Sequence, residues 1–333
     1  MKTKVLYTLV STNNDVYYEQ TFLSLFTLRA QMPDVHVALL IDGVTDDTLI
    51  DHRAALQSMI NEKIVINLDR SLTNLMRSRL LKTNMRNYID GDFLYIDADT
   101  IILSPLNEID NCECDIGAVL ETNKLFSNNS NKQFIIEATE KIGHHLKNDE
   151  KYYNSGVMFV RDNSFTRDFF NSWCKIWLEG TEKNVFFDQP SLAKVNSIYN
   201  YPIKELSGEW NGIGKYCINY VRYLKIFHYV YDPFFEFPLV KKETFMNLKK
   251  TGEIDANLLT IISDPFKSIS NINEILSGDM ALLIHTRLFA VIRNIYFNQY
   301  KLFKKLDSLI TWLFDIYLRY FKKNRKYTPP RKH

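Results

Sequence analysis

Apolar positions in the first hundred residues switch between two periods. Lys4–Ser11 (KVLYTLVS) is an apolar run of strand length, and Val16–Leu28 follows with helical spacing through Phe22, Leu25 and Leu28. Val35–Ile41 (VHVALLI) is a second strand, closed by the turn at Asp42-Gly43. Thr45-Asp46-Asp47 is suited to cap a helix running to about Ile60. Lys63–Leu68 (KIVINL) is a third strand, followed by a helix through about Tyr88. Asp92–Ile96 (DFLYI) is a fourth, short and apolar, that stops at Asp97-Ala98-Asp99. Strand–helix alternation with short connections predicts an α/β fold, a mostly parallel Rossmann-like sheet flanked by helices. Ligands of such sheets bind at the carboxyl ends of the strands, where Asp97 and Asp99 fall.

Beyond the acidic pair the pattern loosens. Asp115–Glu121 (DIGAVLE) and Tyr153–Val160 (YNSGVMFV) are strand-like, with an Asn-rich loop near Ser127–Lys132 between them. Phe165–Leu178 is helical, Asp188–Val195 is a short helix with Pro190 in its first turn, and Ile226–Tyr229 is a late strand. The division expected is one α/β domain over 1–235 and a mainly helical extension over 236–333. In that extension Lys301, Lys304, Lys305, Ser308, Thr311, Asp315, Arg319 and Lys322 form one polar stripe on an otherwise apolar helix. Such a helix suits an anionic membrane surface, a partner helix or its own domain, and the basic cluster Lys322–Lys326 favours the membrane.

The net charge is +2, with 46% hydrophobic and 24% charged residues, ordinary for a packed globular protein. From Val291 to His333 eleven Lys/Arg face two Asp, a net of +9, which leaves −7 for residues 1–290. Basic charge confined to one end argues against a nucleic-acid surface. Cys112, Cys114, Cys174 and Cys217 form no metal-spaced pairs. Cys112 and Cys114 stand too close for an ordinary disulfide, so four thiols predict a reducing, cytoplasmic location, peripheral on the membrane if the tail binds there. The opening apolar stretch is too short for a signal peptide, and no run is long enough to span a membrane.

Asp97-Ala98-Asp99 is the strongest chemical signal. Residues two apart in extended chain share a side, so two carboxylates converge on one point. Like charges held together at a strand end need a counter-charge, and Mn²⁺ or Mg²⁺ accepts such oxygens together with those of a diphosphate. No Gly-rich dinucleotide loop, P-loop or G-x-S-x-G elbow is present.

Here the chain resembles the retaining glycosyltransferases of family 8, the group containing glycogenin and bacterial lipopolysaccharide galactosyl- and glucosyltransferases. The resemblance covers about residues 4–230. It rests on Asn14-Asp15-Val16-Tyr17, Ser78-Arg79-Leu80-Leu81-Lys82, Leu94-Tyr95-Ile96-Asp97-Ala98-Asp99, Asp115-Ile116-Gly117-Ala118-Val119, Tyr153-Asn154-Ser155-Gly156-Val157, Asp188-Gln189 and His228-Tyr229, in that order. It implies a GT-A fold and a metal site of Asp97, Asp99 and His228. Asn154 and Gln189 would face the donor sugar, Arg79 would hold sugar or phosphate, and Thr8, Ser11, Asn14 and Tyr17 would cradle the base. Asp188 and Gln189 would be catalytic, Gln189 lying near the anomeric carbon. The reaction implied moves a hexose from a nucleotide-sugar donor, a UDP-sugar, to a saccharide or lipid-linked acceptor.

The family's H-x-x-G-x-x-K-P-W run is missing after His228, so either Arg222 or Lys225 substitutes for its lysine on the diphosphate or donor binding differs. The alternatives are an inverting transferase with Asp188, Glu121 or Glu209 as base, a sugar nucleotidyltransferase, and a non-catalytic carbohydrate-binding protein. Without the resemblance, His228 reads as a core histidine, Asp188 as a helix cap, and Arg77 and Arg79 as solvated helix positions.

Overall fold

A computed structural model describes residues 1–129, 131–229, 242–264 and 287–321. The chain forms two compact units, Met1–Ile275 and Leu276–His333.

In the first unit the apolar runs become strands β1 (Lys4–Leu9), β2 (Val37–Asp42), β3 (Glu62–Ile66) and β4 (Phe93–Ile96). Helices α1 (Tyr17–Gln31), α2 (Gly43–Asp46) and α3 (Asn74–Thr83) lie between them. A seven-stranded sheet follows the order β3-β2-β1-β4-β7-β6-β8, with β6 at Ile116–Leu120, β7 at Tyr153–Val160 and β8 at Ile203–Glu205. Pairing is parallel except where β7 meets β4 and β6. This is the mostly parallel, helix-flanked sheet that the alternation predicts.

Every residue of β2, β4 and β7 is buried because both faces of the sheet are covered. Val5, Tyr7 and Leu9 face one way, against Leu25 and Leu28 of α1. Leu6, with Ala38 and Leu40 of β2, faces the other way, against Leu81 of α3 and Phe169, Phe170 and Trp173 of α5 (Ser164–Thr181). Edge strand β3 instead alternates intermediate and exposed positions and carries Glu62 and Lys63, which blunt the open edge.

Strands β1 to β3 progress outward in one direction, whereas β4 sits on the other side of β1. The order reverses between β1 and β4, which makes their carboxyl ends the switch point where such sheets hold ligands. A small sheet lies beyond it. Its strands are β5 (Thr100–Ile102), β9 (Gly212–Ile213) and β10 (Ile226–His228), in the order β5-β10-β9.

The chain between β2 and β3 departs from the single helix predicted to about Ile60. After α2 it breaks at Asp47–Ile50, Asp51 takes a left-handed φ of 51°, and Asp51–Met59 continues as 3₁₀ turns. Helix α4 (Lys132–Lys141) follows the Asn-rich loop, and α6 (Asp188–Ile198) contains Pro190 near its start. Helices α7 (Lys242–Thr251) and α8 (Ala256–Ser263) bury Phe245, Leu248, Leu258 and Ile262 against the first unit, so that unit runs past residue 235.

The second unit contains α9 (Arg287–Asn298) and α10 (Tyr300–Phe321). At their junction the Tyr296 ring stands edge-on to Phe303, 5.0 Å between centroids. No described helix is long and apolar enough to cross a membrane. The basic cluster Lys322–Lys326 and the run from Val230 to Phe235 lie outside the described residues.

One expectation about cysteine is corrected. Cys112 and Cys114 are disulfide-bonded, with Cα atoms 5.5 Å apart, inside the span a disulfide bridges. The one intervening residue, Glu113, lets the chain bend enough for the two side chains to meet. Only Cys174 and Cys217 are free thiols, so the case for a reducing compartment from four thiols falls.

Candidate active site

Three elements bring the acidic pair and His228 together. Asp97 follows β4 directly, and its backbone N–H donates to Gly156 O of β7 at 2.7 Å. Thr100 Oγ1 closes the turn on Asp97 O at 2.8 Å. Antiparallel pairing sets His228 of β10 opposite Thr100, and Tyr229 N–H donates to Asp99 O at 3.2 Å. Ligand-type atoms of Asp97, Asp99 and His228 all lie within 4.8 Å of one another.

The acidic pair has its closest partners in Lys82 and His228. Lys82 Nζ lies 3.0 and 2.9 Å from the two oxygens of Asp97, and His228 Nε2 lies 3.1 Å from Asp99 Oδ1. Burial would raise the Asp99 pKa, yet the adjacent imidazole holds it below the usual carboxylate range. Burial likewise would depress His228, but Asp99 and then Asp97 raise it. Two oxygens and an imidazole nitrogen suit Mn²⁺ or Mg²⁺ with room for further oxygen ligands, so the residues present fit a divalent ion.

A second charged cluster adjoins the first. Helix α3, capped by Thr73 Oγ1 on Met76 N–H at 3.2 Å, projects Arg79 and Lys82 from one face, three residues apart. Arg79 Nε lies 3.0 Å from Asp188 Oδ1, Lys82 Nζ lies 3.7 Å from Asp188 Oδ2, and Ser155 Oγ donates to Oδ2 at 2.5 Å. Burial alone would raise Asp188; Lys82, Arg79 and Ser155 outweigh it and push the pKa down to about 2. A carboxylate held that low keeps cations rather than protons. Nor is Asp188 a helix cap, because it occupies the first turn of α6 and the cap position is Phe187. Arg77, read from sequence as solvated, is buried and ion-paired with Asp42.

Glu121, immediately after β6, ties the remaining residues together. Its Oε2 accepts from Asn154 Nδ2 at 2.8 Å and also from Gln189 Nε2. Burial raises its pKa against these two hydrogen bonds and His228. Gln189 thereby turns its Oε1 away from that carboxylate. Asn154 continues the network through Oδ1, which accepts from Gly156 N–H at 2.8 Å and from Asn211 Nδ2 at 2.9 Å.

Strand β1 joins this site through Thr8, ahead of the loop that carries Ser11 and Asn14. Thr8 Oγ1 lies 3.1 Å from Tyr95 OH, and that hydroxyl donates to Asp97. Ser11 is held elsewhere, donating to Asp15 at 2.7 Å and accepting from Arg53 at 2.9 Å. Asn14 lies in the same loop, and Tyr17, half-exposed, opens α1.

Neither cation considered as a substitute for the family lysine faces the acidic pair as Lys82 does. Lys225 pairs with Glu108 at 3.2 Å and Arg222 lies over the Tyr223 ring. Sequence reasoning assigned no role to Lys82, Ser155 or Asn211. For Lys82 the available signal was its three-residue spacing from Arg79.

The protein-family model for glycosyl transferase family 8 matches residues 44–231. No curated protein matches the chain. Among solved structures, the galactosyltransferase LgtC in complex with donor and acceptor sugar analogs is similar in fold, with a TM-score of 0.52 and 16% identity. That match covers 78% of this chain and 99% of LgtC. The apo bifunctional glycosyltransferase WbbM matches with a TM-score of 0.50 and 13% identity, over 84% of this chain and 52% of WbbM. A seven-stranded sheet with an acidic pair at its switch point, together with a family model spanning more than half the sequence, makes this chain a member of glycosyltransferase family 8 and an enzyme of glycosyl transfer.

Proposed function

We propose that the enzyme transfers a hexose from a UDP-sugar to a saccharide or lipid-linked acceptor with retention of configuration, using Mn²⁺ or Mg²⁺ bound by Asp97, Asp99 and His228. The observation that carries this reading is the convergence of those three side chains within 4.8 Å at the switch point. A divalent cation there would neutralise charge growing on the departing diphosphate. LgtC, similar in fold, was solved with donor and acceptor sugar analogs.

The chain's own side chains then divide the work. Arg79, anchored on Asp188, presents its guanidinium to donor phosphate or sugar hydroxyls. Asn154 and Gln189, both fixed by Glu121, orient the sugar. Gln189 Oε1 faces the anomeric centre as positive charge develops there, while the acceptor attacks the face the diphosphate leaves. A neutral amide is a poor nucleophile, so no covalent adduct with Gln189 is invoked. Thr8, Asn14 and Tyr17 line the approach to the base, and Ser11, buried on Asp15 and Arg53, holds the loop in place.

Asp97→Ala and Asp99→Ala are each expected to abolish Mn²⁺-dependent hydrolysis of the donor while circular dichroism shows a folded protein with a lowered melting temperature, since each substitution strands a buried partner, Lys82 or His228. Unchanged turnover in either variant would remove the metal from the reaction.

We also assign α10 to an anionic membrane surface. Leu309, Ile310, Trp312, Leu313, Phe314 and Tyr317 are all exposed, and lysines flank them at Lys301, Lys304 and Lys305.

A further inference from the structure

Asn211 is completely buried, precedes β9 and carries no sequence signal of its own. Its orientation is nonetheless dictated by a chain of hydrogen bonds that begins at a backbone amide. The N–H of Gly156 can only donate, so the atom facing it at 2.8 Å is the oxygen of the Asn154 amide. The nitrogen of Asn154 then falls 2.8 Å from Glu121 Oε2, an acceptor, which agrees. The same Asn154 oxygen lies 2.9 Å from the Asn211 side chain, which must therefore present its nitrogen there. That leaves Asn211 Oδ1 toward His228 Nδ1, at 3.0 Å. An amide oxygen only accepts, so Nδ1 carries the hydrogen.

The backbone fixes Asn211 as well. Asn123 Nδ2 donates to Asn211 O at 2.9 Å, and Asn123 Oδ1 accepts from Ile213 N–H at 2.9 Å. Gly156 also keeps the ring in place, since a Cβ built there would stand 2.8 Å from His228 Nδ1.

We propose that Asn211 is a positioning residue that holds His228 as the Nδ1–H tautomer and so presents the Nε2 lone pair to the divalent cation. The proposal rests on the cation reading of Asp97, Asp99 and His228. Its physical basis is general: a histidine ligand coordinates through one nitrogen while a hydrogen-bond acceptor on the other fixes tautomer and ring angle. Asn211 is that acceptor, and Glu121, Asn154 and Gly156 decide which way it points.

The test uses the full chain and Mn²⁺ alone. Wild type is expected to bind Mn²⁺ with nitrogen hyperfine coupling from one imidazole in pulsed EPR. Asn211→Ala should lower the affinity by about 10–100-fold and weaken that coupling. Asn211→Asp keeps an oxygen facing Nδ1 but sets its other oxygen against Asn154 Oδ1, so it should restore the coupling and part of the affinity. In wild type loaded with diamagnetic Zn²⁺, ¹⁵N NMR should find the His228 proton on Nδ1, a measurement that needs no variant to fold. Affinity and coupling unchanged in Asn211→Ala, equal loss in both variants, or a proton on Nε2 would overturn the assignment. Failure of the wild type to bind Mn²⁺ at all would instead overturn the cation reading on which it rests.

Discussion

Lys82 and His228 occupy, in charge terms, the position that a cation would take. Lys82 is nearly inaccessible and touches Asp97 closely and Asp188 more distantly, so its removal leaves carboxylates with no nearby ammonium. Lys82→Met is expected to destabilise the metal-free protein by about 3 kcal/mol. Mn²⁺ should recover part of that loss, because a bound ion stabilises only the folded state. Urea unfolding with and without Mn²⁺ measures both effects, and equal loss in both conditions would show that Lys82 does not stand in for an ion. His228 makes a second prediction. Its pKa is raised above the usual value of about 6.5, and the ring must be neutral to coordinate. Mn²⁺ affinity should therefore be full above that raised pKa and fall as pH drops through it. In His228→Asn, binding should be weaker and its pH profile flatter, as titration calorimetry from pH 9 to pH 5 would record. Asp97, Asp99 and His228 were legible in the sequence because two carboxylates after a buried strand need a counter-charge and the family pattern supplies a late histidine. Lys82 and Asn211 were not. Their roles depend on which helix face and which loop reach the switch point, and no local spacing encodes that.

Legibility at the level of elements follows burial and length. Strands β2, β4 and β7, buried along their whole length, read clearly because an apolar run bounded by turns has few other solutions. Strands β5, β8 and β9 are two or three residues long and exist through their partners, so periodicity could not reveal them. The region Asp51–Met59 carries helical spacing yet forms 3₁₀ turns after a residue with positive φ. Strand β7 shows how an element serves the site without supplying a ligand. Its Gly156 accepts from Asp97 N–H, and the missing Cβ leaves the space that the His228 ring fills. Gly156→Ala should displace that ring and lower Mn²⁺ affinity by at least tenfold, with a smaller loss of turnover-independent stability than a core truncation of 2–5 kcal/mol. Mn²⁺ titration beside a melting curve distinguishes this from general unfolding. An alanine variant that binds Mn²⁺ as wild type does would show that the ring has room to shift without leaving the site.

Over the whole molecule, charge is segregated in sequence, and exposed apolar residues are densest at the basic end. Residues 1–290 carry −7 and the last 43 carry +9, so the acidic first part holds the cluster of Asp97, Asp99 and His228 while the basic end holds the exposed apolar helix α10. Exposed Ile310, Leu313, Phe314 and Tyr317 fall on one side of the helix and are costly in water, and together they form the kind of patch that marks an interaction surface. A partner helix would satisfy the apolar residues alone. An anionic bilayer satisfies these and the lysines together, each Lys or Arg near the surface contributing about 1 kcal/mol. Binding should consequently be sensitive to both components. Ile310→Glu with Phe314→Glu places carboxylates on the apolar surface and should reduce sedimentation with phosphatidylglycerol vesicles by more than tenfold, leaving donor hydrolysis intact because none of the described site residues belongs to α10. Raising the salt from 0.1 to 1 M shortens the screening length from about 10 to 3 Å and should release much of the wild-type protein. Binding that ignores salt would point to a hydrophobic partner instead, and vesicle binding unaffected by the double substitution would remove α10 from the membrane interaction.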